Sequence, residues 1–99
     1  MKTKQRVYIT GGSSGIGLSL AIRYAKNGDD VILLARNQDR LDEAARQCRA
    51  ETMSADQLIA AVSLDISEFN TLQEKISAIT DEYGQPDLLI LSAGIAGNK

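Results

Sequence analysis

The sequence predicts an α/β fold: an open, doubly wound parallel sheet with the element order βαβαβαβ. Three observations carry this reading. Short apolar runs alternate with longer segments of helical period along the whole chain. The segments between the runs are too long for hairpins, so the strands pair in parallel through right-handed crossovers. Finally, 99 residues make one domain at most, because single cores typically serve about 100–200 residues.

Val7-Tyr8-Ile9 is β-branched and aromatic and forms the first strand, and the glycine-rich stretch Gly11–Gly17 follows it. From Ile16 to Asn27, Ile16, Leu20 and Tyr24, with Ala21 and Ala25 offset, recur at helical spacing. Gly28 stands where a helix end favours a left-handed residue. Val31–Ala35 is apolar without alternation, as for a strand covered on both faces. Asn37 can cap a second helix carrying Leu41, Ala44, Ala45 and Cys48. Ala50–Gln57 reads as a loop or frayed helix end, and Ile59–Leu64 as the third strand. Ser67 caps a third helix with Phe69, Leu72, Ile76, Ile79 and Tyr83 on one stripe, closed by Gly84 and Pro86. Leu88–Leu91 is the fourth strand. The usual strand order for such a sheet, 3-2-1-4, makes this strand an unpaired apolar edge, and self-association through Leu88–Leu91 is expected.

Composition excludes several classes. Hydrophobic residues are 43% and charged ones 24%, the profile of a globular chain rather than a disordered one. Eleven Lys+Arg against thirteen Asp+Glu give a net charge of −2, with no basic stripe, so no nucleic-acid partner is expected. Histidine is absent, which removes a Ser-His or Cys-His nucleophile pair from this chain, and no metal is expected. One cysteine makes no internal disulfide, and no apolar segment follows the lysines of Met1–Gln5, so a cytoplasmic location is expected.

The chemistry-bearing segment is Thr10-Gly11-Gly12-Ser13-Ser14-Gly15-Ile16-Gly17, between the first strand and the first helix. Glycines there permit a sharp turn, close approach of backbone N–H groups to a pyrophosphate, and tight packing of helix on sheet. The helix N-terminus adds a favourable dipole for phosphates. The G-x-x-x-G-x-G spacing differs from the commoner G-x-G-x-x-G, but its place between strand and helix is the one dinucleotide binding requires. Ser13 and Ser14 either contact phosphate or ribose, or favour the turn.

Arg36 follows the second strand, where NAD-binding folds carry an acid for the ribose 2′-hydroxyl. Its planar fork suits a 2′-phosphate instead, with Asn37 as a neutral neighbour, so NADP(H) is the expected cofactor. The competing reading is a solvated arginine at a helix start. Asp65, after the third strand, either accepts from the adenine amine or caps the next helix. Ala93 and Gly94, small residues ending the fourth strand at the same edge, let the chain pass close to a bound cofactor.

Together these residues resemble the short-chain dehydrogenase/reductase family. The match lies in T-G-x-x-x-G-x-G at Thr10–Gly17, Asp65 after the third strand, and Leu91-Ser92-Ala93-Gly94 in place of N-N-A-G. The family's two asparagines, which brace the backbone around the fourth strand, are Leu91 and Ser92 here. Within the family, Gly11–Gly17 with Ala35-Arg36-Asn37 and Pro86-Asp87 is most similar to the 3-ketodihydrosphingosine reductases, and reductases of 3-oxoacyl thioesters are also similar. The resemblance implies a partial Rossmann fold and an NADPH-dependent oxidoreductase that reduces a ketone by hydride transfer. It also implies that a catalytic Ser and a Tyr-x-x-x-Lys pair lie after the fourth strand. None of the three tyrosines is followed four residues later by lysine; Gly12, Gly28 and Asp87 stand there. Residues 1–99 are then the N-terminal dinucleotide-binding half, expected to be inactive alone. A non-catalytic nucleotide-binding or regulatory module, and a structural remnant that binds nothing, are the competing functions.

Cys48, on the stripe of Leu41 and Ala45, is expected to be a small buried hydrophobe. Phe69, Leu72, Ile76 and Ile79 are expected in the core. Asp29-Asp30 and Asp81-Glu82 are expected to be solvated turn charges.

Overall fold

The computed structural model describes residues 4–11, 15–64 and 69–92. Four strands, β1 (Arg6–Thr10), β2 (Asp30–Ala35), β3 (Ile59–Ser63) and β4 (Leu88–Leu91), alternate with α1 (Gly15–Lys26), α2 (Gln38–Ala50) and α3 (Phe69–Tyr83). All strand pairs are parallel, and the sheet order is β3-β2-β1-β4, as the sequence predicts. The chain runs outward from β1 through β2 to β3, then crosses to β4 on the other side of β1. The strand order therefore reverses beside β1, and folds of this kind leave a crevice at the carboxyl ends of those strands.

Strand residues alternate between two apolar layers. Val7, Ile9, Val31, Leu33 and Ile59 face α1 and α2, where they pack against Ala21, Ala25, Leu41, Ala44, Ala45 and Cys48. Tyr8, Ile32, Leu34 and Ala60 face α3 and pack with Leu64 and Ile79. Ile9, Ile32, Leu33 and Leu41 are fully buried, each contributing about 1.5–3 kcal/mol by leaving water. Cys48 is buried, as expected. Gly28 and Gly84 close α1 and α3 with φ of 96° and 95°, a conformation that disfavours a side chain.

Three expectations need correction. The buried stripe of α1 is Gly17, Ala21 and Ala25, whereas Ile16 is 59% exposed and Leu20 and Tyr24 are only half-buried. Small residues let the helix sit close to the sheet, and this outweighs the larger hydrophobicity of the neighbouring stripe. Ile76 is 44% exposed and helps line an apolar groove of about 550 Å³ between α3 and the β1–β4 side of the sheet. One helix is too narrow to cover that face. Asp29 and Asp30 are buried rather than solvated, because each carboxylate accepts from a backbone N–H, of Gln5 at 3.0 Å and of Leu58 at 2.8 Å. The Phe69 side chain and the Ser67 cap lie outside the described residues. Among the described residues, no helix is long and apolar enough to cross a membrane.

Candidate functional site

The carboxyl end of β1 is fastened on both flanks. Toward β2, the Gly11 N–H donates to the Leu34 carbonyl at 2.7 Å, extending the ladder one residue beyond the strand. Toward β4, the Ser92 hydroxyl and N–H both donate to the Thr10 carbonyl, at 2.5 and 3.3 Å. The Thr10 hydroxyl donates to the Ile90 carbonyl at 3.4 Å. Ser92 thus ties β4 to β1 through both its backbone N–H and its side chain.

From this anchored point the chain leaves through Gly11 at φ 72° and enters α1 through Gly15 at φ 60°. Left-handed geometry at both ends is what glycine supplies at little cost. Gly17 serves a different need. A Cβ there would collide with the Gly11 carbonyl oxygen and lie 2.8 Å from Ser92 Oγ. The absent side chain is what lets the first turn of α1 press against the strand ends. That turn carries no acidic residue, so no carboxylate of its own answers the partial positive charge of its N–H groups.

The turn after β2 is equally well held. Asn37 takes extended geometry (φ −93°, ψ 108°) and accepts from the Arg40 N–H at 3.1 Å, capping α2. The Ser63 hydroxyl donates to the Arg36 carbonyl at 3.0 Å, and the Leu64 N–H donates to the Ala35 carbonyl at 2.7 Å. Arg36 therefore leaves a fixed backbone with its side chain exposed. Ser63 escaped sequence reasoning, because a serine at a strand end carries no signal of the backbone it will meet.

The fold brings Gly11, Gly15, Ile16, Gly17, Arg36 and Asn37 to one edge of the sheet. Ser13, Ser14, Asp65, Ala93 and Gly94 lie outside the described residues. Among the described residues, Tyr8, Tyr83 and Cys48 sit away from this edge. The Tyr8 hydroxyl donates to the Gly84 carbonyl at the opposite end of the sheet, and burial pushes its pKa up. Burial also raises Tyr83 at the end of α3. The Cys48 thiol, in the core beneath α2, is pushed up to about 11 by burial. None of the three is a proton donor at this edge.

Comparison with known proteins agrees with this geometry. The short chain dehydrogenase family matches residues 5–99. The mouse 3-ketodihydrosphingosine reductase is 35% identical over 89 residues, covering 89% of this chain and 27% of that protein. The L-sorbose reductase of Gluconobacter frateurii, solved in complex with NADPH and L-sorbose, superposes with a TM-score of 0.74 at 32% identity. That match covers 88% of this chain and 32% of the reductase. A betaketoacyl-[ACP] reductase from Bacteroides thetaiotaomicron superposes with a TM-score of 0.80 at 28% identity, covering 92% and 41% of the two chains. The chain spans well under half the length of each of these relatives. With the anchored glycine turn at the strand-order reversal, these likenesses place the chain in the short chain dehydrogenase family of oxidoreductases, which bind nicotinamide cofactors through a Rossmann fold.

Proposed function

We propose that this chain is the NADP(H)-binding portion of a reductase that passes a hydride to a ketone, with a 3-keto lipid or a 3-oxoacyl group as substrate class. The observation that carries the reading is the close packing at Gly17, where a Cβ would fill the space between α1 and Gly11. The cradle suits a diphosphate: glycines at both turns, N–H groups at the start of α1, and no competing acid in its first turn. Gly11, Gly15, Ile16 and Gly17, with Ser13 and Ser14, would hold the pyrophosphate. Arg36 and Asn37 would take the 2′-phosphate, Asp65 the adenine amine, and Ala93 and Gly94 would leave room along the cofactor.

Bound NADPH supplies the hydride for the carbonyl carbon. The residues of this chain bind and orient the cofactor; the proton for the carbonyl oxygen comes from outside residues 1–99. An arginine rather than an acid after β2 supports NADP(H) over NAD(H). The printed names of the mouse reductase and of the betaketoacyl-[ACP] reductase support the substrate class. The reading includes self-association, because Leu89 and Leu91 on the edge strand β4 are 52% and 72% exposed; a monodisperse monomer by light scattering at high concentration counts against that part. Calorimetric titration with NADPH and NADH tests the cofactor. NADPH is expected to bind at least about tenfold more tightly, one charge-assisted phosphate contact's worth. Binding of neither nucleotide sinks the reading.

A further inference from the structure

We infer that Ser63, at the end of β3, is a positioning residue for cofactor choice: by holding the Arg36 carbonyl, its hydroxyl aims the Arg36 guanidinium at a 2′-phosphate. The inference rests on the dinucleotide reading above and names a residue which that reading does not use.

Three successive carbonyls at the end of β2 carry the argument. Along a strand, neighbouring carbonyls point to opposite sides of the chain. The Leu34 carbonyl points toward β1 and accepts from the Gly11 N–H at 2.7 Å. The Ala35 carbonyl points toward β3 and accepts from the Leu64 N–H at 2.7 Å. Continued as a strand, the chain would aim the Arg36 carbonyl back toward β1. It is turned toward β3 instead, where the Ser63 hydroxyl donates to it at 3.0 Å. Two successive carbonyls on one side mean that the chain leaves the sheet at Arg36. The next carbonyl, of Asn37, already belongs to α2 and accepts from the Leu41 N–H at 3.0 Å. The carbonyls before and after Arg36 are thus held by backbone N–H groups, and that of Arg36 by a side chain. Ser63 stands in register with Ala35, so its hydroxyl reaches just one residue past its own strand partner.

The aim of the Arg36 side chain follows from this turn. Peptide units are planar, so the backbone angles of Arg36 decide both where its carbonyl points and where its side chain leaves the chain. Nothing holds the far end of that side chain. Among the described residues Arg36 makes no ion pair, and Asp39, three residues on in the first turn of α2, is not bonded to it. The side chain is exposed, so its direction rests on the backbone. Without the hydroxyl, the Arg36 carbonyl is free to turn to water, and the peptide gains orientations in which the guanidinium no longer faces the sheet edge. A ligand's measured affinity falls with the fraction of the chain in the competent arrangement. NADPH, whose 2′-phosphate takes the guanidinium, feels that fraction; NADH, with a 2′-hydroxyl in the same place, does not.

The test is the affinity of the chain and of Ser63→Ala, Ser63→Thr, Arg36→Gln and the double variant Ser63→Ala/Arg36→Gln for NADPH and NADH. Ser63→Ala is expected to weaken NADPH about three- to fivefold, the worth of one ordinary hydrogen bond at an exposed site, and to leave NADH within about twofold. Ser63→Thr keeps the hydroxyl and suits a strand, so the NADPH-to-NADH ratio is expected to stay within about twofold of the unsubstituted chain's. In the Arg36→Gln background, removing the hydroxyl is expected to change the ratio no further. Equal weakening of both nucleotides by Ser63→Ala, or the same loss of ratio with and without Arg36, overturns the inference, because the hydroxyl then acts on the edge at large. So does a loss in Ser63→Thr as large as in Ser63→Ala. An unchanged ratio in Ser63→Ala, beside a reduced ratio in Arg36→Gln, overturns this inference and leaves the cofactor reading standing. Failure of the unsubstituted chain to bind either nucleotide overturns both.

Discussion

The two edges of the sheet satisfy their backbone in opposite ways. At the amino edge, where strands begin and present unpaired N–H groups, the chain supplies its own acids. The Gln5 N–H goes to Asp29, the Arg6 N–H to Asp87 at 2.8 Å, and the Leu58 N–H to Asp30. Gln57 completes the closure, donating to the carbonyls of Ala25 and Asp29 at 2.9 and 2.8 Å while accepting from the N–H groups of Met53 and Ser54. At the carboxyl edge the donors are the first N–H groups of the helices. Asn37 answers one of them for α2, and the first turn of α1 holds no acid. The hydroxyls there, of Ser92, Ser63 and Thr10, donate to carbonyls instead of accepting from N–H groups. One edge is closed by internal carboxylates; the other is shaped by glycines and three hydroxyls, with no acid in the first turn of α1.

The contrast can be broken in four ways. The largest effect is expected at Gly17. Valine there meets backbone rather than a movable side chain, and a loss of about 4 kcal/mol or more is expected from such overpacking, with no NADPH binding. Chemical denaturation beside a binding titration reads both. Gly15 offers the control: a Cβ meets nothing within 4 Å, and only its φ of 60° is unfavourable, so alanine is expected to cost about 1–2 kcal/mol.

At the opposite edge, Asp29→Ala removes a fully buried acceptor and strands the Gln5 N–H. A urea midpoint is expected to report about 2 kcal/mol lost, while NADPH affinity stays within about twofold. A comparable fall in affinity would show that the edges are not independent.

Third comes the buried thiol. Cys48 has its pKa lifted from 9.0 to about 11, so the folded chain holds this proton more tightly than the unfolded chain does. The stabilisation is complete below pH 9 and is lost as pH rises toward about 11, with an upper bound of about 2–3 kcal/mol. Stability measured across that window should fall less steeply for Cys48→Ala than for the unsubstituted chain. Parallel slopes would contradict the burial argument. Smallest is Ser92→Ala, which removes one bond to the Thr10 carbonyl, for about 1 kcal/mol in a thermal melt.

Much of this architecture was legible because it is written in local pattern. The apolar runs at Val7–Ile9, Val31–Ala35 and Leu88–Leu91 lie within or on the strands found, and Asn37 caps where its position predicts. What sequence reasoning missed depends on partners distant along the chain. Asp29 and Asp30 look like turn charges until Gln5 and Leu58, 24 and 28 residues away, arrive beside them. The stripe on α1 was read around Ile16, Leu20 and Tyr24, because hydrophobicity outweighs smallness in a helical pattern. Close packing on the sheet selects Gly17, Ala21 and Ala25 instead. Ile76 obeys the helical period, but its burial depends on how much of the sheet one helix covers. At the carboxyl edge, the glycines of the turn into α1 were readable from position, whereas the Ser92 and Ser63 tethers were not, since a hydroxyl reveals its acceptor only once strands stand side by side.

The most direct measurement is a map of backbone amide shifts in a ¹⁵N-labelled chain titrated with NADPH. Large shifts are expected at Gly11, at Gly15 to Leu18 and around Arg36 to Arg40, with Gln5, Arg6 and Leu58 at the far edge unmoved. Saturable shifts centred on the amino edge, or none at Gly15 to Leu18, would contradict the account.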